Sequence, residues 1–371
     1  MKNNGYSLKY PRRILIRKSM TAIGRLLMSL LADVEIIGKD KLPKKGPIIL
    51  AGNHVAVLEA VMMAVYTPGI VEFLANGDIP FDPNYAFIVK AYDPIGVNRG
   101  NLDREGLQMG LDVLKQGGIL GVFPEGGIWK PTEMQAQIGI ALLSDRSGAP
   151  ILPIGFSGVR HGLTKALHFE RPKLTMNVGD LLPPVQINND DLSLKTNLEA
   201  SANQIMAAIN ALVPETEFED RHRRMNETYT LEIEVLTTQE SIPVPSDLEV
   251  RHGAMYARFL YNPTMMDVLV RNLNLPLKPI KQVYHQMDLA PLINAWQSIL
   301  AYLKINPGYF TYRFGVEDGL AVKQALIELV DLATWAQDAG YALSIDPIRL
   351  YQNAKTGAEV SEHGGCFPAS L

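Results

Sequence analysis

One pair of ionisable residues stands at a spacing that could do proton chemistry. In AGNHVAVLEAV, from Ala51 to Val61, His54 closes one apolar run and Glu59 follows five residues later inside another. Imidazole titrates near neutrality, which suits it to take a proton there. A carboxylate holding one ring nitrogen fixes the tautomer and stabilises the imidazolium, leaving the other nitrogen as the base. A histidine and a glutamate so spaced also occur for purely structural reasons, so the weight of the reading falls on their companions.

The elements that position this pair alternate in type. Short β-rich runs at 34–38, 47–53, 70–75, 118–123, 149–158 and 173–180 are separated by segments of helical length and spacing, among them LEAVMMAVY, 102–115 and 135–147. Strands alternating with helices imply crossover connections, hence an α/β fold with a largely parallel sheet flanked by helices. A helix over about 189–212 is expected to close the unit. His54 then falls just beyond a buried strand where a helix starts, with Asn53 placed to cap that helix. In open α/β sheets ligands bind beyond the carboxyl ends of the strands.

Downstream come DPIGVNRGN (93–101), GVFPEGGIW (121–129) and APILPIGF (149–156). With the His54 segment, their order and spacing resemble the four blocks of the glycerolipid acyltransferase family typified by bacterial 1-acylglycerol-3-phosphate acyltransferase. The first block, Asn-His, four residues and an Asp, is matched by Asn53, His54 and Glu59. The second ends in an arginine and is matched by Gly96, Val97, Asn98 and Arg99. The third, Phe-Pro-Glu-Gly, is matched in full by Phe123, Pro124, Glu125 and Gly126. The fourth is an apolar run around Pro153. The resemblance covers about residues 30–212, and its first and third blocks are the specific ones.

What the resemblance implies is a direct acyl transfer. His54, oriented by Glu59, would deprotonate a lysolipid hydroxyl, and this would attack the thioester of acyl-CoA or acyl carrier protein, a co-substrate rather than a cofactor. No enzyme nucleophile is needed, and the chain lacks G-x-S-x-G. Arg99 takes the family's phosphate-binding position, with Asn98 beside it. Gly126 and Gly127 would let backbone N–H groups approach the acceptor or a developing oxyanion. Glu125 would position either the acceptor or the loop.

Two departures bear on the acceptor. Glu59 replaces the family's Asp and is a methylene longer. After Gly126 the family continues Thr-Arg-Ser, whereas this chain reads Gly127, Ile128, Trp129. A cation and two hydroxyls are lost, so an acceptor other than lysophosphatidic acid stays open, as does a catalytically silent lipid-binding role.

Charge distribution points to a surface partner. Residues 1–45 carry eleven basic and three acidic side chains, a net charge of plus eight, while the whole chain is at minus four. In YPRRILIRKSMTAIGRLLMSLLADV the apolar residues Ile16, Met20, Ile23, Leu27 and Leu30 recur at helical spacing, with Arg13, Arg17 and Arg25 off that stripe. The run is too interrupted by charge to span a membrane. It reads either as a helix in the interface of an anionic membrane or as an amphipathic helix packed on its own protein. The expected location is cytoplasmic, peripheral on the inner face of a membrane. Few aromatics accompany the basic front and the body is acidic, which argues against nucleic acid. A single cysteine, Cys366, excludes a disulfide framework or a thiolate metal cluster within the chain.

The expected layout is therefore a basic amphipathic interface helix (1–32), an acyltransferase domain (33–214), a mainly helical C-terminal region of unknown role (215–354) and a mobile tail (355–371). In the third part, TYTLEIEVL suggests a strand, and PTMMDVLVRNL, DLAPLINAWQSILAYLK and EDGLAVKQALIELVDLATWAQDAG suggest helices, the last stopping at Gly340.

Overall fold

A computed structural model describes residues 8–76, 83–97, 103–125, 136–187, 193–219, 224–237, 240–275, 288–354 and 356–364. Two compact units result, Met1–Gly77 with Ile88–Arg221, and Asp78–Phe87 with His222–Leu371.

The first unit is built on a seven-stranded sheet of β1 (Asp33–Ile37), β2 (Ile48–Gly52), β3 (Val71–Asn76), β4 (Ile95–Val97), β5 (Ile119–Val122), β6 (Ile151–Ser157) and β7 (Lys173–Val178). Their order is β1-β7-β6-β2-β5-β3-β4, and every pairing is parallel except β6 with β7. β2 lies at the centre between β5 and β6, and β2, β5 and β6 are buried along their whole length. That explains why they read as continuous apolar runs, since a strand covered on both faces needs no polar alternation.

Helices α2 (Leu58–Tyr66), α3 (Pro83–Tyr92), α4 (Arg104–Lys115), α5 (Gly139–Ser147), α6 (Gly162–Leu167), α7 (Leu194–Asn210) and α8 (Glu215–Glu219) connect or flank the strands. Two apolar cores form, one around Ile49, Leu120, Ile151 and Ile205, the other around Leu50, Met62, Met63 and Ile154. Alternate residues of β2 thus feed opposite faces of the sheet, as a pleated strand requires. α4 is capped by Asp103, whose carboxylate accepts the amides of Glu105 and Gly106, and α7 by Ser193. Asn53 differs from the capping expectation. It lies outside α2, whose N-cap position is Val57 without a side-chain cap bond.

Helix α1 (Ile14–Leu31) precedes the sheet and packs with its less apolar side. Arg17 and Met28 are buried, whereas Ile14, Leu15, Ile16, Ile23, Leu26, Leu27 and Leu30 are exposed. At Gly24 an added Cβ would lie 2.8 Å from a Val65 methyl, so the inward stripe is narrow where α1 meets α2. Arg17, 1% exposed, donates to Glu72 of β3 at 2.5 and 2.9 Å and to the carbonyls of Tyr92 and Asp93. Arg12 reaches Glu72 and Asp93, and Arg13 reaches Asp93. Three arginines of the basic front, Arg12, Arg13 and Arg17, are thus paired with carboxylates of the same unit. The same guanidinium lies 4.7 Å from the ring centre of Tyr92, whose phenol is held well above the usual tyrosine range by burial, against the opposing pull of Arg17.

The second unit pairs helices with a sheet. β8 (Arg224–Leu236), β9 (Ser241–Ile242), β10 (Ala342–Asn353) and β11 (Glu359–His363) form an antiparallel sheet in the order β11-β10-β8-β9. Against it lie α9 (Gly253–Leu260), α10 (Pro263–Leu273), α11 (Ala290–Ile305), α12 (Gly308–Phe314) and α13 (Val316–Asp338). Trp296 centres the core, donating its indole N–H to the Tyr256 hydroxyl at 2.8 Å. The expected tail contributes β11, paired with β10 from Ile348↔His363 to Gln352↔Glu359. β10 had no strand signal because Pro347 stands in its middle, where a missing N–H normally argues against a central strand.

Candidate active site

His54 follows β2 by two residues, and three neighbouring segments fix it. The first is Asn53, 1% exposed, whose side-chain amide donates to the Phe156 carbonyl at 3.1 Å while its Oδ1 accepts the Phe156 amide at 2.7 Å. The side chain thereby continues the β2–β6 ladder one step beyond the main-chain pairing. Gly52 beside it leaves room for that ring, since a Cβ there would lie 2.7 Å from the Phe156 ring and force it to shift.

The second is the stretch after β5. Phe123 stacks on the His54 ring at 4.3 Å between centroids and 19° between planes. Phe73 of β3 lies behind Phe123 at 6.4 Å and 5°. Glu125, 1% exposed, accepts the His54 backbone amide on Oε2 at 3.2 Å. Of the two uses foreseen for Glu125, one carboxylate oxygen is thus engaged in holding the loop.

The third is the first turn of α2. Glu59, fully buried, accepts the amides of Val55 and Ala56 on Oε1 at 2.6 and 2.7 Å. Its other oxygen, Oε2, stands 3.8 Å from His54 Nδ1, and neither atom has a hydrogen-bond partner among the described residues. That distance is beyond a hydrogen bond but close enough for charge attraction, which is strong where water is excluded. The glutamate is long enough to gather two backbone amides with one oxygen while the other still faces the imidazole. His54 itself is 19% exposed, so its ring reaches solvent at one edge.

Sequence reasoning read His54 and Glu59 as a pair and Glu125 separately, and the fold brings the three together at the carboxyl ends of adjacent parallel strands. Asn98, Arg99, Gly126 and Gly127 lie outside the described residues, as do Ile128 and Trp129. Pro153 is buried in β6, opposite Ala51. The stacking role of Phe123 and the ladder role of Asn53 were missed. Phe123 and Asn53 belong to the quoted motifs, but nothing in spacing reveals a ring contact or a bond to a strand a hundred residues away.

Among the described residues, no group of three or more His, Cys, Asp or Glu could hold a metal ion. The arrangement is an imidazole with a buried carboxylate beside it on a mostly parallel α/β sheet.

Comparison with known proteins gives this class its particular form. Residues 33–157 match the family model Acyltransferase. The 1-acyl-sn-glycerol-3-phosphate acyltransferase of Bacillus subtilis (strain 168) is 23% identical over 189 residues, spanning 51% of this chain and 92% of that relative. Among solved structures, the 1-acyl-sn-glycerophosphate acyltransferase PlsC of Thermotoga maritima superposes with a TM-score of 0.40 at 18% identity, covering 55% of this chain and 83% of that one. Residues 33–157 are an acyltransferase domain. The enzyme is thus an acyltransferase, and over this domain it resembles the PlsC-like glycerolipid acyltransferases.

Proposed function

We propose that the enzyme moves a fatty acyl group from acyl-CoA or acyl carrier protein to a hydroxyl of a lysophospholipid such as 1-acylglycerol-3-phosphate, with His54 as general base. The observation that carries this is the imidazole at the end of β2, stacked on Phe123, with a buried carboxylate oxygen 3.8 Å from its Nδ1. Nε2 takes the acceptor's proton as its oxygen attacks the thioester carbonyl. Glu59 compensates the imidazolium that forms, in a site where water screens little. As the tetrahedral oxyanion collapses, the C–S bond breaks and the imidazolium returns the proton to the departing thiolate. Base catalysis of this kind is worth about 10²–10⁴-fold in rate.

Arg99 and Asn98 are proposed to hold the acceptor's head group, and Gly126 and Gly127 to present amides to it or to the oxyanion. A different acceptor is the second reading, favoured by Ile128 and Trp129 where the family has an arginine and a hydroxyl. The membrane reading rests on α1. No helix among the described residues is long and apolar enough to cross a membrane, but α1 turns its apolar stripe outward. An exposed Leu or Ile side chain gains about 1.5–3 kcal/mol on full removal from water, so the acyl boundary of a cytoplasmic leaflet is the natural home for that stripe.

The deciding experiment incubates the purified protein with a long-chain acyl-CoA and a panel of lysolipids, following thiol release and lipid product, beside His54→Ala. Product from lysophosphatidic acid that vanishes in the variant is the expected result. Product from another lysolipid alone would move the acceptor assignment, and equal turnover in the variant would remove His54 from the mechanism.

A further inference from the structure

The connection from β6 to β7 carries a second exposed apolar feature. Its sequence from Arg160 to Lys173 reads RHGLTKALHFERPK, with four Lys or Arg and one carboxylate, Glu170. Gly162 and Ala166 bury one side of α6, while Leu167 is 58% and Phe169 78% exposed. The turn is well bonded: the Phe169 amide donates to the Ala166 carbonyl and the Glu170 amide to that of Lys165, both at 3.0 Å. Phe169 and Arg171 adopt left-handed backbone conformations, φ 61° and 46°. Such conformations cost a non-glycine residue on the order of 1 kcal/mol and persist where the surroundings impose them. A phenyl ring is thus held in water by a strained, hydrogen-bonded turn, which folding alone does not require.

Its location supplies the reason. Arg171 donates to the Leu30 carbonyl at 2.6 Å and to that of Ala32 at 3.3 Å, completing the C-terminal end of α1. The Asp33 amide donates to the Pro172 carbonyl, and β1 and β7 pair from Asp33↔Lys173. The turn is therefore locked beside exposed Leu30, at one end of the outward apolar stripe.

We infer that the α6–β7 turn is a second membrane-contacting element, with Leu167 and Phe169 entering the acyl boundary of an anionic bilayer next to the end of α1. Exposed Lys165 and Lys173 meet the lipid phosphates, the charge pattern that interfacial segments use. The inference rests on reading α1 as interfacial and adds a consequence. A lone helix lying in an interface can roll about its long axis, whereas a helix plus a laterally attached point fixes the rotation of the rigid unit.

The test uses the full chain and vesicles of phosphatidylglycerol and phosphatidylethanolamine in a sedimentation assay. L167S/F169S is compared with L26S/L27S and wild type, all checked for an unchanged melting temperature. The turn variant is expected to lower the partition coefficient about tenfold, equivalent to about 1.4 kcal/mol. Independently, F169W should add a tryptophan signal whose emission shifts to the blue on adding vesicles, relative to wild type. Binding lost in L26S/L27S but retained in L167S/F169S, with no shift in F169W, would overturn the inference and leave the α1 reading standing. Unchanged binding in both variants would remove both. A turn variant that binds vesicles normally but changes the protein's mass in light scattering would replace the bilayer with a protein partner.

Discussion

Two carboxylates buried in the same unit, Glu59 and Glu72, have been satisfied in opposite ways. Glu72 is closed on both oxygens by the Arg17 guanidinium, with Arg12 adding a third donor. Glu59 closes one oxygen on two backbone amides and leaves the other facing an imidazole without a hydrogen bond. A buried charge that is fully paired gives geometry, here the attachment of α1 to β3. One that is half paired is, in the proposed mechanism, free to act on the neighbouring ring when that ring becomes charged. The same residue type at similar burial is thus fully paired in one place and, on the proposed function, kept for reactivity in the other, and the difference lies in what completes the second oxygen.

Substitutions should separate these uses. The largest effect is expected from His54→Ala, with kcat down by about 10³–10⁴-fold and the melting temperature held, read by thiol release and thermal unfolding. Arg17→Ala should do the reverse. Leaving Glu72 buried and short of its main partner should cost about 3–5 kcal/mol in urea unfolding, with residual activity following the folded fraction; a loss under 1 kcal/mol would mean that Arg12 alone suffices. Glu59→Gln keeps the shape and an acceptor for Val55 and Ala56 but removes the charge. It should lower kcat about 10²-fold while shifting stability little, and a loss confined to stability would make Glu59 another Glu72. Phe123→Leu is the mildest, with activity down about tenfold and stability down about 1 kcal/mol, checked by whether the pH–rate profile moves as the stacked face of the imidazole is lost.

Much of the first unit was legible because its central strands β2, β5 and β6 are continuous apolar runs. The His54 segment and FPEG could be read as a site because their residues are local in sequence and fall at strand ends. β4 was too short to separate from a loop, and α3 was not read as an element. β10 was obscured by Pro347. The basic front was read correctly as a helix with an apolar stripe, yet the fate of its arginines depends on Glu72 and Asp93, which lie 55 or more residues away. No local pattern encodes that pairing.

The amino-acid sequence by itself determined most elements of the first unit, the alternation that makes the sheet largely parallel, and which residue types could carry protonic chemistry, because propensity, periodicity and residue type are properties of short segments. Tertiary structure alone decided which charges are neutralised, which carboxylate oxygen stays open and which face of α1 turns outward. Those outcomes depend on long-range approach and on exclusion of water, and a charge or an apolar side chain acquires its energy only from what folding places beside it.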